Sequence, residues 1–459
     1  MPLVNGKFIV ENHYFTEHEI EQFRDDLTFK SMDGKRYGFG EGETVCLLKE
    51  SGDFLVVPRL YAYYTFPKHI LDAAKNEVVD GVPISIGFNE QKQQSRPELK
   101  SRQDKTIQNW LDAVNKQETP FKGGFIQAPC GCGKTLMALK IASILKVSTL
   151  VIAHKEFLLD QFRQTIKDFL LDVSEEDIGF VRQDVCDYQG KKIVLGMMQS
   201  LAMRDYDAEF YNYFGLVIVD EAHRTSAPLL SQSVPKFNAK YRLALSATPR
   251  RMDGLQGVFE LNLGKVLSIM PKGESLKPII YQVVRSCWLP EKRYKWGKKV
   301  LLARLINALT DMDARNAWLV GEMIRALNKN RRVLVFSDRR EHLEVLKHIL
   351  NEAMPTVTTG FYWGGLKKEE LVQAATSDCI FSTYAMGKEG LDIPICDTLF
   401  LTTPKTDVEQ MIGRILRFHD EKKPPVVVDV VDDIGLCQLF AEKRQKQYIA
   451  LGYEVKVIK

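Results

Sequence analysis

The segment Ala128-Pro-Cys-Gly-Cys-Gly-Lys-Thr135 gathers glycines, a lysine and a hydroxyl immediately ahead of a predicted helix, Leu136 to Leu145. A loop of that make-up turns backbone N–H groups onto phosphate oxygens, with the lysine meeting β/γ charge and the hydroxyl available to Mg2+. Gly131, Cys132, Gly133, Lys134 and Thr135 are therefore candidate nucleotide-binding residues; the alternative is an ordinary glycine-rich turn. Further along, the apolar run Gly215-Leu-Val-Ile-Val219 leads directly into Asp220-Glu-Ala-His223. Two carboxylates at the end of a buried strand face a cleft or a metal more readily than solvent. Asp220 is placed to hold Mg2+ and Glu221 to take a proton from an attacking water. A third element, Gln410-Met-Ile-Gly-Arg-Ile-Leu-Arg417, sets Arg414 and Arg417 at i, i+3 on one helix face. Opposite a nucleotide, two guanidiniums would neutralise charge on the γ-phosphoryl group.

Such residues need rigid elements beneath them. Thr149-Leu-Val-Ile-Ala153, Lys192 to Gly196, Gly215 to Val219 and Arg242 to Leu245 are continuous apolar runs, expected when helices cover both faces of a parallel sheet. The texture returns at Arg332 to Phe336, Asp378 to Phe381, Asp397 to Leu401 and Pro425 to Asp429. The chain reads as α/β, with two tandem parallel-sheet domains and a small N-terminal α+β module. Boundaries are expected at residues 1–92, 93–275 and 276–459. The polar run Asn89 to Pro97 reads as a linker ending in a helix-hostile proline.

The 459 residues are 45% hydrophobic and 27% charged, which excludes disordered, collagen-like and coiled-coil classes. The net charge of +4 is unevenly spread. Residues 1–96 carry 11 basic and 15 acidic side chains, whereas 285–332 carry 12 basic and 4 acidic, including Lys292-Arg-Tyr-Lys-Trp-Gly-Lys-Lys299. The eight cysteines follow no disulfide framework, and the first residues lack an export signal, so a reducing, cytoplasmic setting is expected. No run is long enough to cross a membrane, and Cys130 with Cys132 is too sparse for a metal site.

Taken in order, the chain resembles the superfamily-two helicases over about residues 97–430. The carriers are Gln103, the loop 128–135, Thr149 to Lys155 with Gln161-Phe162, Met198-Gln-Ser-Leu201, Asp220 to His223, Ser246-Ala-Thr-Pro249, Val333 to Ser337, Ser382 to Asp392, and Gln410 to Arg417. The Ser246 to Gly254 stretch and the DEAH tetrad resemble the group containing XPB, RecG-like translocases and restriction-enzyme motors. Compact size, the N-terminal module and Asp429-Val-Val-Asp-Asp433 with Arg444 and Tyr448 resemble the phage UvsW-like branched-DNA helicases.

The resemblance implies two RecA-like lobes with ATP and Mg2+ between them, Thr135 and Asp220 as metal ligands, and Gln410 alongside Arg414 and Arg417 in catalysis. It implies that Gln103 reads adenine, that Ser246 and Thr248 couple hydrolysis to lobe movement, and that Gly390 and Asp392 sense nucleotide from the second lobe. It also implies that Lys155, Gln199, Ser200, Ser337, Arg339 and Thr383 face a nucleic-acid strand. Lys292, Arg293 and Trp296, in the basic-aromatic cluster, are candidates for electrostatic grip and base stacking at a fork, or for a solvated loop. Lys35-Arg36-Tyr37 and Arg59 to Tyr64 offer similar patches, the tyrosine run reading equally well as core. The expected function is a monomeric ATP-dependent DNA helicase or translocase for branched or forked DNA, in the host cytoplasm if phage-encoded. The alternatives are a duplex translocase that does not separate strands and an RNA helicase.

Overall fold

A computed structural model describes residues 7–31, 44–73, 78–93, 97–129, 131–222, 226–247, 253–271, 277–297, 299–389, 393, 395–416 and 422–458. The chain divides into two compact units, Met1–Gly273 and Glu274–Lys459.

The first unit is built on a sheet whose central strands are the apolar runs, buried on both faces. In spatial order they are Ile178–Arg182, Ile193–Met197, Thr149–Ala153, Leu216–Val219, Tyr241–Ser246, Lys122–Gln127 and Val266–Ile269, all parallel, with the short Val185–Cys186 antiparallel at one edge. Helix Pro97–Asn115 is pinned to this sheet by Trp110, fully buried, whose indole N–H donates to Gly124 O at 3.1 Å. The expected linker is partly structured. Glu90–Gln93 is a helical turn, Gln93 is buried, and Pro97 opens the long helix, a position where its missing N–H is not needed.

The N-terminal elements form a three-stranded antiparallel sheet of Phe8–Glu11, Phe54–Val57 and Lys49–Ser51 with short helices. Their apolar side chains, Phe8, Phe23, Leu55 and Phe66 among them, join one continuous core with Leu150, Phe210 and Phe259 of the large sheet's covering layer. Contact is tight where Phe29 meets helix Gln256–Leu263: a Cβ on Gly257 would lie 2.2 Å from its ring. Arg59 and Tyr61 are buried, so the core reading of that run prevails, although Tyr64 is exposed. Lys35, Arg36 and Tyr37 lie outside the described residues.

The second unit is a seven-stranded parallel sheet in the order Thr359–Tyr362, Cys379–Thr383, Val333–Ser337, Thr398–Leu401, Val426–Asp432, Ile279–Arg285, Glu454–Ile458. Two buried ion pairs lock its carboxyl edge. Arg444 grips Asp429, which also accepts from Tyr448 and Gln282. Arg315 meets Asp432 with both Nε (2.8 Å) and Nη2 (2.9 Å) and donates to Thr402 O at 2.6 Å. Both side chains of that second pair are 1% exposed. Arg315→Met leaves the Asp432 carboxylate buried without its cation and is expected to cost this unit about 3–5 kcal/mol. That lowers its calorimetric unfolding midpoint by about 6–20 °C. Arg315→Met with Asp432→Leu should recover most of the loss, and an unchanged midpoint in the single variant would contradict the assignment.

Candidate functional site

The first unit's candidates converge on one edge of its sheet because parallel strands release their next residues on the same side. Lys155 follows Thr149–Ala153, Gln199 and Ser200 follow Ile193–Met197, Asp220 and Glu221 follow Leu216–Val219, and Ser246 ends its own strand. Ala128 N donates to Ser246 O at 2.9 Å, so the phosphate-type loop departs beside the Ser246 strand. The carboxylates sit on the strand between that loop and the Lys155 and Gln199 positions.

Gly131 (φ +76°) and Gly133 (φ +81°) adopt left-handed backbone, as the loop demands. Gly133 has a second reason to be glycine: a Cβ there would stand 2.5 Å from Gln103 Nε2. Lys134 and Thr135 occupy the first turn of helix Lys134–Leu145. Lys134 Nζ lies 3.2 Å from Glu221 Oε1, and both side chains are largely shielded from solvent. Asp220 is 5% exposed. Glu221 itself has φ +46°, a left-handed conformation at a non-glycine residue that costs of order 1–3 kcal/mol and is characteristic of functional sites. Nothing in the sequence announces it. Thr135 and Asp220 supply the hard oxygen donors that suit Mg2+.

Gln103 is 3% exposed and its amide is engaged at both ends: Nε2 donates to Cys132 O at 2.7 Å, and Oε1 accepts from Gln93 Nε2 at 2.7 Å. It therefore holds the loop backbone, and Gln93 fixes which way its amide points. Lys140, bridging Glu90 and Asp104, steadies this corner. Gln93 was not legible as functional, lying in a polar run with no pattern. Gln199 is exposed, Lys155 is half-buried at the start of helix Glu156–Phe169, and Ser200 Oγ accepts from Gln183 N at 3.0 Å.

In the second unit, Arg339 and Thr383 stand at the carboxyl ends of the neighbouring strands Val333–Ser337 and Cys379–Thr383. Ser337 is corrected: it is fully buried, so it does not meet a strand. Its Oγ accepts from Arg339 N and bonds His342 Nδ1 at 3.0 Å, while His342 Nε2 lies 3.0 Å from Asn316 Oδ1. Burial, with Arg315 alongside, pushes His342 down to about 3, so the ring is neutral and links the two groups as acceptor and donor. Helix Glu409–Ile415 carries Gln410 and Arg414. Arg414 Nε donates to Gly387 O at 2.9 Å, and Gly387 itself packs against Phe336, whose ring a Cβ there would meet at 2.6 Å. Gln410 Oε1 is buried with no hydrogen-bond partner among the described residues.

Cys130, His223, Thr248, Lys298, Gly390, Asp392 and Arg417 lie outside the described residues. Among the described residues no His/Cys/Asp/Glu cluster forms a metal site, and no helix is long and apolar enough to cross a membrane.

Residues 96–251 match the family described as type III restriction enzyme, res subunit, and residues 315–419 match the helicase conserved C-terminal domain. Together the two matches support a superfamily-two helicase. A protein of Acanthamoeba polyphaga mimivirus, whose name describes an ATP-dependent RNA helicase, is 27% identical to this helicase over 433 residues, spanning 93% of this chain and 80% of that protein. Saccharomyces cerevisiae Dbp5 bound to RNA and ADP BeF3 shares the fold at a TM-score of 0.52 and 13% identity, covering 79% of the helicase and 94% of Dbp5. Phage T4 UvsW aligns over 96% of both chains at 16% identity, but at a TM-score of 0.36. The RecA-like fold of both units and an ATP-dependent helicase activity follow.

Proposed function

We propose that this helicase is an ATP-dependent DNA helicase or translocase acting on branched or forked DNA. The observation that carries the nucleotide half is the 3.2 Å pairing of Lys134 with Glu221, which joins the glycine loop to the strand-end carboxylates. On ATP binding, Lys134 exchanges its carboxylate partner for the β/γ phosphates, while the N–H groups around Gly131, Cys132 and Gly133 cradle them. Glu221, released, accepts the proton of the water that attacks the γ-phosphorus as the bond to ADP breaks. Thr135 and Asp220 would hold Mg2+, which would supply charge neutralisation on the phosphates. Gln103 keeps the loop in shape, with its second N–H hydrogen left for adenine.

From the second unit, Arg414 and Arg417 neutralise charge on the transferring group, with Gln410 beside them and Gly390 and Asp392 sensing the nucleotide. Ser246 and Thr248 pass the change to the nucleic-acid side. There Lys155, Gln199, Ser200, Arg339 and Thr383 hold backbone phosphates without reading sequence. The domain assignment is an N-terminal accessory module over 1–92 and lobes over 93–275 and 276–459.

DNA is supported by the match of residues 96–251 to a restriction-enzyme subunit, a class of enzyme that works on DNA. The name of the mimivirus relative supports a second reading, an RNA helicase. Steady-state ATP hydrolysis with forked DNA, duplex DNA, single-stranded DNA and single-stranded RNA separates them. The expected result is about ten-fold or greater stimulation by forked and single-stranded DNA, an activation barrier lowered by ~1.4 kcal/mol or more. Stimulation by RNA alone would transfer the assignment to RNA.

A further inference from the structure

The basic stretch folds into a defined platform. Glu291–Arg293 makes a 3-10 turn, Lys295–Trp296 and Lys299–Val300 pair as a two-stranded antiparallel ribbon, and helix Leu302–Thr310 follows. A small core of its own supports this arrangement. Tyr294, the other aromatic of the basic-aromatic cluster, is 6% exposed and packs with Leu289, Leu305, Leu309 and Cys437. Trp296, two residues on and within the ribbon, is 71% exposed. An indole left this open on a ribbon with a core under it needs an explanation, because that core could have taken it.

The surroundings supply one. The Arg304 guanidinium lies over the Trp296 ring, 5.7 Å from its centroid, and the high exposure leaves the ring otherwise open. Arg293 pairs with Asp311 and Lys295 with Glu291, but Lys292 and Lys299, both exposed, form no ion pair among the described residues. The platform is also tied to the carboxyl edge of the second sheet. Arg339 Nε donates to Asn307 Oδ1 at 2.7 Å, and its Nη2 reaches Ala303 O, on the helix that carries Arg304. Cations, an open aromatic face and a bonded path to a residue at the strand-end edge coincide.

We propose that Trp296, backed by Arg304, stacks on an unpaired base of the DNA, with Lys292 and Lys299 holding the flanking phosphates. The inference rests on the nucleic-acid reading given under Proposed function. It goes further in assigning a base-contacting residue, where the strand-end residues contact phosphate only. Stacking on an aromatic is sequence-tolerant and strengthened by a nearby arginine.

The test uses the full chain in a Trp288→Phe background, because Trp288 is also exposed and would contribute signal. Intrinsic fluorescence and binding of a labelled oligonucleotide are followed with a 20-mer of thymidylate and with an abasic 20-mer of equal charge. The expected result is quenching by the thymidylate strand alone. Trp296→Ala should weaken thymidylate binding about five-fold or more, leave abasic binding unchanged, and be largely rescued by Trp296→Phe. Equal weakening for both oligonucleotides, or no weakening for either, would overturn the stacking assignment. The motor reading is tested apart from it: absence of DNA-stimulated ATP hydrolysis by the unmodified chain would defeat that reading whatever Trp296 does.

Discussion

Glu221→Gln is expected to lower ATP turnover about 10³-fold and to leave nucleotide affinity within a few-fold of the parent. The magnitude is the contribution of a positioned general base, ~10²–10⁴. The change keeps the side chain's size and removes only its ability to accept a proton. Two features of the structure sharpen the expectation. Glu221 is held at φ +46°, a strained conformation that the surrounding fold must maintain and that a merely solvated turn carboxylate has no reason to adopt. Its carboxylate also lies 3.2 Å from Lys134 Nζ, so the neutral amide removes a charge that competes with phosphate for the lysine. Single-turnover hydrolysis with a fluorescent ATP analogue titration on the same protein checks both halves. Hydrolysis at the parent rate would remove Glu221 from the role of base.

The second large effect is expected far away in sequence. Arg414→Ala should lower turnover by about 10³-fold, the size associated with an arginine that neutralises charge on a transferring phosphoryl group. The side chain is presented deliberately: its Nε is fixed on Gly387 O at 2.9 Å, which orients the guanidinium plane, and helix Glu409–Ile415 carries Gln410 beside it. Arg414→Lys is not expected to rescue, since an ammonium cannot keep the Nε bond and offer a planar fork as well. Both proteins should bind nucleotide, because the loop that grips the phosphates, Gly131 to Thr135, belongs entirely to the first unit.

Much of this was legible from residue types. Strands buried on both faces of a parallel sheet are continuous apolar runs, so Thr149–Ala153 and Leu216–Val219 stand out, and the carboxylates after the second mark its end. Glycines required at left-handed positions mark the loop. Strands that were overlooked break that rule. Ile279–Arg285 carries Gln282 in its middle, a polar residue made tolerable by its bonds to Asp429 and Ala441 O. Glu454–Ile458 is an edge strand with polar and apolar residues alternating.

Within the site, residue type says what a side chain can do but not where it is pointed. Ser337 looks like a phosphate contact and is a buried partner of His342. Tyr294 and Trp296, two apart in a basic run, look equivalent, yet the ribbon sends one into a core and the other to solvent. Gln103 looks like a base reader and is first a brace for Cys132 O. Such assignments depend on side-chain partners distant in sequence, such as Gln93 and Asn316, and no local pattern encodes them.

On the proposed function, hydrolysis requires Arg414 of the second unit as well as the carboxylates of the first. The most direct test of that requirement is ATP turnover by Arg414→Ala, measured with saturating forked DNA beside a nucleotide-affinity titration of the same preparation. Turnover is expected to fall about 10³-fold with affinity essentially retained. Turnover at the unmodified rate, with nucleotide still bound, would show that the first unit hydrolyses ATP without the second and would contradict the requirement.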